Sequence, residues 1–264
     1  MSMKKLMIAA CGVLVVTLST RAEEPKNGIM SAEIVGYATG ALRKGSSAIG
    51  AQFVPVDGKA IDLTEIIPTG YDKETYEGGS IYVQWLDARG RMVEGSKYFW
   101  YDDEDGTGWF DGNDEPAEKG RAVLKVGEGI WVDATTTNEY LRIAGAVPTA
   151  PTDVYLRQGS TLVVNPATKS INWNDDDDDG NFIVAGGYDR DTYEGGSIYA
   201  QSLDERGRMV EGSKFFWYDD EDGTGWFDGQ DEFVTGKKVD PGVGIWVDGT
   251  STNEKITFPA ALQK

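Results

Sequence analysis

Along most of this chain apolar side chains recur at every second position, and a helical period is nearly missing. Ile81, Val83 and Trp85 alternate with Tyr82, Gln84 and Leu86. Such alternation marks a strand, because successive side chains on a pleated backbone point to opposite faces. Asp87-Ala88-Arg89-Gly90 follows as a turn whose glycine can take the left-handed conformation. Met92-Val93 and residues 97–101 predict the returning strand, and residues 123–126 and 129–133 predict a further pair joined by a Gly-bearing turn. Residues 140–147 read as a strand that ends one stretch of chain and opens the next. The one helical candidate, residues 60–67, is a turn or two at most. Strands at about 8–12-residue spacing predict an all-β fold, sandwich- or barrel-like.

The pattern comes twice. Residues 70–115 and 187–232 align without a gap, and seven of the 46 positions differ. They are Lys73/Arg190, Glu74/Asp191, Val83/Ala200, Trp85/Ser202, Ala88/Glu205, Tyr98/Phe215 and Asn113/Gln230. The similarity continues through Gly129-Ile130-Trp131-Val132-Asp133 and Gly244-Ile245-Trp246-Val247-Asp248. Backwards, Leu42-Arg43-Lys44-Gly45-Ser46 matches Leu156-Arg157-Gln158-Gly159-Ser160, and Ile34-Val35-Gly36 matches Ile143-Ala144-Gly145 more weakly. Self-similarity of this kind predicts two tandem homologous modules of about 110 residues, spanning residues 23–142 and 143–264. Because Val83 and Trp85 become Ala200 and Ser202, that strand face is expected to lie outside any core common to both copies. Trp85 then either covers something copy two lacks or stands exposed.

Charge and the N-terminus narrow the classes of function. Lys4 and Lys5 precede an apolar run over residues 6–18, and Thr20 and Ala22 put small residues where a signal peptidase reads. This layout predicts a secretory signal peptide, residues 1–22, cleaved near Ala22. A competing lipidation box, Ile8-Ala9-Ala10-Cys11, has its cysteine inside the apolar run. The expected location is secreted, periplasmic or cell-surface. The apolar run is too short to span a bilayer stably, so no stable membrane span is expected. The whole chain has 44 acidic and 25 basic residues; losing Lys4, Lys5 and Arg21 leaves 22 basic and a formal charge of −22. Such a surface repels nucleic acid and anionic lipid, and suits a cation or a positively charged partner. There is no histidine, and Cys11 is the only cysteine. That removes the Ser-His-Asp triad and makes zinc a poor candidate.

The most distinctive stretch is Phe99-Trp100-Tyr101-Asp102-Asp103-Glu104-Asp105-Gly106-Thr107-Gly108-Trp109-Phe110-Asp111-Gly112, which recurs unchanged at residues 216–229. Five acids within ten positions repel one another unless a cation sits among them. The Asp-x-Asp-Gly of residues 103–106 is the centre of many calcium loops, although an EF-hand would need a Glu where Gly112 stands. Calcium is therefore the candidate cofactor, with Asp103, Asp105 and Asp111 as ligands in copy one and Asp220, Asp222 and Asp228 in copy two. Asp175, Asp177 and Asp179, before Gly180, form a third candidate that occurs once. The alternative for each is a solvated acidic turn.

Aromatic side chains offer a second reading, a carbohydrate platform built from Trp109, Trp226, Tyr101 and Tyr218. Trp100 lies on an alternating strand and is assigned to the core, whereas Trp109, after Gly-Thr-Gly, is expected to be exposed. Glu77 and Glu94, repeated as Glu194 and Glu211, could be nominated as a carboxylate pair for glycoside chemistry. Duplication of a whole scaffold in so small a chain argues against an enzyme.

The motifs Ile34-Val35-Gly36-Tyr37, Phe53-Val54-Pro55-Val56, Gly108-Trp109-Phe110-Asp111 and Gly127-x-Gly129-Ile130-Trp131-Val132 occur in that order. In this the chain resembles exported β-rich tandem-repeat proteins, found as large paralogous sets in some double-membrane bacteria. The resemblance implies export, β structure and an envelope or surface role, and carries no activity. Copy two departs from it, with Asn165-Pro166 and the Asp run in place of residues 53–56. The expected function is structural or adhesive, with a cell-envelope or extracellular protein or glycan as partner, or self-association.

Overall fold

The computed structural model describes residues 35–41, 45–54, 60–71, 81–86, 92–102, 106–134, 139–175, 180–188, 198–203, 209–219 and 223–260. Among these the regular structure is strand, with a single 3-10 turn at Leu63–Glu65 and no α-helix. The expected helical stretch at residues 60–67 is thus shorter than a helix. Asp62 caps the turn by accepting hydrogen bonds from Thr64 N (3.0 Å) and Thr64 Oγ1 (2.6 Å), and Ile66 returns to extended backbone.

The first half contains β1 (Val35–Ala41), β2 (Gly45–Gly50), β3 (Ile61–Asp62), β4 (Ile67–Thr69) and β5 (Ile81–Leu86). It continues with β6 (Met92–Asp102), β7 (Thr107–Phe110), β8 (Val123–Leu124), β9 (Gly129–Ala134) and β10 (Tyr140–Ala146). The second half contains β11 (Thr152–Tyr155), β12 (Gly159–Val164), β13 (Ile171–Asn172), β14 (Val184–Gly186) and β15 (Ile198–Leu203). After these come β16 (Met209–Asp219), β17 (Thr224–Phe227), β18 (Lys238–Val239), β19 (Gly244–Gly249) and β20 (Lys255–Phe258).

Each half forms a five-stranded, a three-stranded and a two-stranded antiparallel sheet. The orders are β2-β9-β5-β6-β7, β1-β10-β4 and β3-β8 in the first, and β12-β19-β15-β16-β17, β11-β20-β14 and β13-β18 in the second. The chain is all-β, and no sheet closes into a barrel among the described residues. Strand β9 shows why the alternation was legible: Ile130, Val132 and Ala134 are buried, with Gly129, Trp131 and Asp133 between them half-buried. Side chains such as Ile49, Trp100, Ile130 and Leu141 of the first half and Val163, Trp217, Ile245 and Phe258 of the second belong to one continuous core.

Pairing bears on three expectations. Strand β10 runs through residues 142 and 143 and pairs with β1 and β4, and β11 begins at Thr152 in a different sheet. Ile34-Val35-Gly36 and Ile143-Ala144-Gly145 are not equivalent segments, because Gly36 and Val35 face Gly145 and Ala146 across one ladder. In copy two the first of the two differing strand positions is core: Ala200 is 1% exposed and lies opposite buried Phe215, while the side chains of Val83, Trp85 and Ser202 lie outside the described residues. A larger neighbour accompanies the smaller side chain, since Trp173 packs edge-on against Phe215 with ring centroids 4.8 Å apart. Such volume exchange is what cores tolerate best.

The halves meet through β2 and β9 on one side and β12 on the other, with Val164 N donating to Gly127 O at 2.8 Å and Glu128 bridging Val163. Glycines permit this approach. A Cβ on Gly129 would lie 2.6 Å from Leu162 Cγ, and one on Gly50 would collide with Val164 and with Glu128 O. Gly50 and Val164 end the equivalent strands β2 and β12, so the same position meets itself, empty in one copy and filled in the other.

Candidate functional site

The acidic-aromatic box folds as the β6–β7 hairpin, and its register decides which rings are available. Trp100 lies opposite Trp109, and Phe99 opposite Phe110. Cross-strand partners share a face, so both tryptophans point inward together. They are 6% and 3% exposed and meet edge-on, centroids 5.3 Å apart. Trp109 Nε1 donates to Ile66 O at 2.7 Å. In copy two Trp226 is fully buried and donates to Ile183 O at 2.9 Å, with Trp217 beside it at 5.3 Å. The expectation that Trp109 and Trp226 form an exposed platform is therefore overturned. Four residues of β7 are too few to display their own phase, and pairing with β6 sets it.

Tyr101 and Tyr218 stay half-buried on the opposite face, edge-on to Phe110 and Phe227 at 5.2 Å in both copies. Their hydroxyls donate to Asp114 Oδ1 (3.1 Å) and Asp231 Oδ1 (3.3 Å). Both aspartates have φ of 60°, the left-handed region that short polar side chains tolerate better than most.

The candidate metal ligands divide. Asp103, Asp105, Asp177, Asp179, Asp220 and Asp222 lie outside the described residues. Asp111 shapes its own turn: Oδ1 accepts hydrogen bonds from Asn113 N (2.8 Å) and Glu115 N (3.2 Å). These backbone donors hold its carboxyl below the ordinary value of 3.8. Asp228 repeats the arrangement with Gln230 N (2.8 Å) and Glu232 N (3.1 Å). An acid at this position thus has a role that requires no metal. Asp175 Oδ1 accepts from Gly180 N at 3.2 Å, and Gly180 has φ of 67°, so the two close the Asp-rich loop at its base. Among the described residues no group of three or more acidic side chains is placed to hold a metal ion.

Several polar groups that structure the site were not singled out from the sequence. Asp102 accepts from Tyr71 Oη at 2.6 Å and Thr107 Oγ1 at 2.9 Å, while Trp100 Nε1 donates to the same Tyr71 oxygen at 3.1 Å. Asp219, Tyr188, Thr224 and Trp217 repeat this network. It ties the base of the acidic loop to the core tryptophan. Asp62, 5% exposed, accepts from Gly120 N as well as from Thr64. Burial pushes its carboxyl up, and the bonds from Thr64 and Gly120, with Lys119 nearby, outweigh that and hold it below 3.8. Asn174 is the copy-two specialist: its amide bridges Trp226 N, Trp226 O and Val234 O at 2.8–2.9 Å. The unchanged 31-residue spacing of Tyr71 to Asp102 and of Tyr188 to Asp219 was visible, but so were dozens of other unchanged pairs.

No protein-family model, no curated protein and no solved structure matches this chain.

Proposed function

We propose that this chain is an exported, non-catalytic protein of the cell envelope or surface, whose paired β modules serve a structural or adhesive role. One observation carries the reading: the duplicated box spends its chemistry-bearing groups on its own fold. Trp109 and Trp226 are buried, and Asp111 and Asp228 cap turns. Asp102 and Asp219 tie hairpins to the core. On the other face of the described hairpins stand half-buried Tyr101, Phe110, Tyr218 and Phe227, rings of the kind enriched at interfaces. The signal-like N-terminus and the resemblance to exported tandem-repeat proteins support the same reading. Calcium would be taken up by the acidic loops at Asp103 and Asp220.

The test is fractionation of cells producing the full chain, with N-terminal sequencing and sedimentation of the mature protein on isolated envelopes. A chain beginning at Glu23, outside the cytoplasm and sedimenting with envelopes, is expected. Cytoplasmic protein retaining Met1 would overturn export, and mature protein that never sediments would overturn attachment. A melt with chelator tests the metal separately, since an unchanged Tm removes calcium from the reading. The half-exposed Tyr101 and Tyr218 favour glycan as a second class of partner, which a glycan array tests directly.

A further inference from the structure

Among the described residues, the exposed large apolar side chains Ile67, Val123 and Tyr155 lie on separate short strands, as scattered surface residues do. Phe233 differs. It is 45% exposed and stands edge-on to Phe227, centroids 5.4 Å apart, while Phe227 stands edge-on to Tyr218 at 5.2 Å. Register puts Phe216 opposite Phe227, so these rings line one outward face of β16–β17. Gly225 is the seat that admits the fourth ring: a Cβ there would lie 2.7 Å from Phe233 Cε2.

Two features say what this face takes. Lys214 Nζ already sits over Phe216, 5.2 Å from the ring centroid, so the face holds an ammonium of its own chain. The rings are also bordered by acid: Asp231 accepts the Tyr218 hydroxyl, Asp228 and Glu232 lie in the same turn, and the whole chain carries a formal charge of −19. Aromatic faces attract cations through their quadrupole, and arginine also stacks on them. We propose that the β16–β17 face, centred on Phe233, docks a basic polypeptide segment through its lysine and arginine side chains. This deepens the adhesive reading and rests on it, naming the chemistry of the partner.

The chain supplies its own control. Pro116 bridges Phe110 in copy one as Phe233 bridges Phe227 in copy two, and a Cβ on Gly108 would meet nothing closer than Phe110 at 3.9 Å. Copy one therefore has the seat without the ring. The experiment titrates the mature chain with a fluorescein-labelled decapeptide of alternating Arg and Ser, and with its Glu–Ser counterpart, at two salt concentrations. Wild type is expected to bind the Arg peptide and ignore the Glu peptide. Phe233→Pro, which installs the residue copy one tolerates, is expected to abolish measurable binding, and Pro116→Phe raises the stoichiometry from one peptide towards two. Unchanged affinity in Phe233→Pro overturns the proposal, as does unchanged stoichiometry in Pro116→Phe should the first variant fail to fold. Binding of a neutral oligosaccharide at this face, with no response to the Arg peptide, overturns it too. Envelope sedimentation run alongside separates this failure from failure of the adhesive reading: sedimentation persisting in Phe233→Pro leaves attachment standing and removes this face from it.

Discussion

Gly50 and Val164 allow the contact between halves to be tested as a lock. Val164 is fully buried, and its methyl carbons occupy the space a Gly50 side chain would claim. Gly50→Val adds three carbons to a filled site against both a side chain and the Glu128 carbonyl, and overpacking of this kind costs about 1–3 kcal/mol. Val164→Gly removes three buried carbons at about 0.8 kcal/mol each and adds about 1 kcal/mol of backbone freedom, near 3 kcal/mol in all. The double variant exchanges knob and hole. Its side-chain conflict is relieved while the Glu128 contact remains, so its loss should fall short of the summed single losses by at least about 1 kcal/mol. In copy two, where valine holds the position, Asn165 N to Val243 O is 3.4 Å, and the equivalent Ala51 N to Glu128 O is 3.1 Å. Urea unfolding of the mature chain, followed by tryptophan fluorescence with a check for a single transition, gives the four free energies. Single losses that add within about 0.5 kcal/mol would refute the lock.

Trp226→Leu should destabilise the chain by about 3 kcal/mol, through lost contacts and the orphaned Ile183 carbonyl, and a denaturation midpoint within error of wild type would restore the exposed-platform reading. Asp62→Asn copies the residue at Asn172 and should cost about 1–2 kcal/mol at neutral pH, because charge-assisted bonds to Thr64 and Gly120 weaken. The folded carboxyl of Asp62 is held below 3.8, so its contribution is complete above the unfolded value and is lost as pH falls through the folded one. Wild type should therefore lose its advantage over Asp62→Asn below about pH 4, and a difference in unfolding free energy that stays constant from pH 6 to pH 3 would count against this role. Lys255 of the central strand β20 reaches Asp153 of the edge strand β11 at 2.6 Å, each side chain about a third exposed. Lys255→Met should change stability by less than about 1 kcal/mol, since surface pairs are screened, and a larger loss in thermal melts would show that the pair counts for more.

How much was legible depended on whether the signal was local. Period-2 alternation at residues 129–133 and the duplication of residues 70–115 need only the chain itself, so the all-β class and the paired sheets followed from sequence. The inward turn of Trp109 did not, because β7 borrows its phase from β6. Nor did the role of β10, which pairs with β1 and does not take its place in the second half. The acids show the same divide: their number and spacing were plain, but whether Asp111 meets a cation or its own backbone depends on where Asn113 N and Glu115 N point. Composition and periodicity fix what a residue can do and which way a long strand faces. Pairing partners, glycine seats and the meeting of Gly50 with Val164 join residues far apart in the chain, and only the folded backbone brings them within reach.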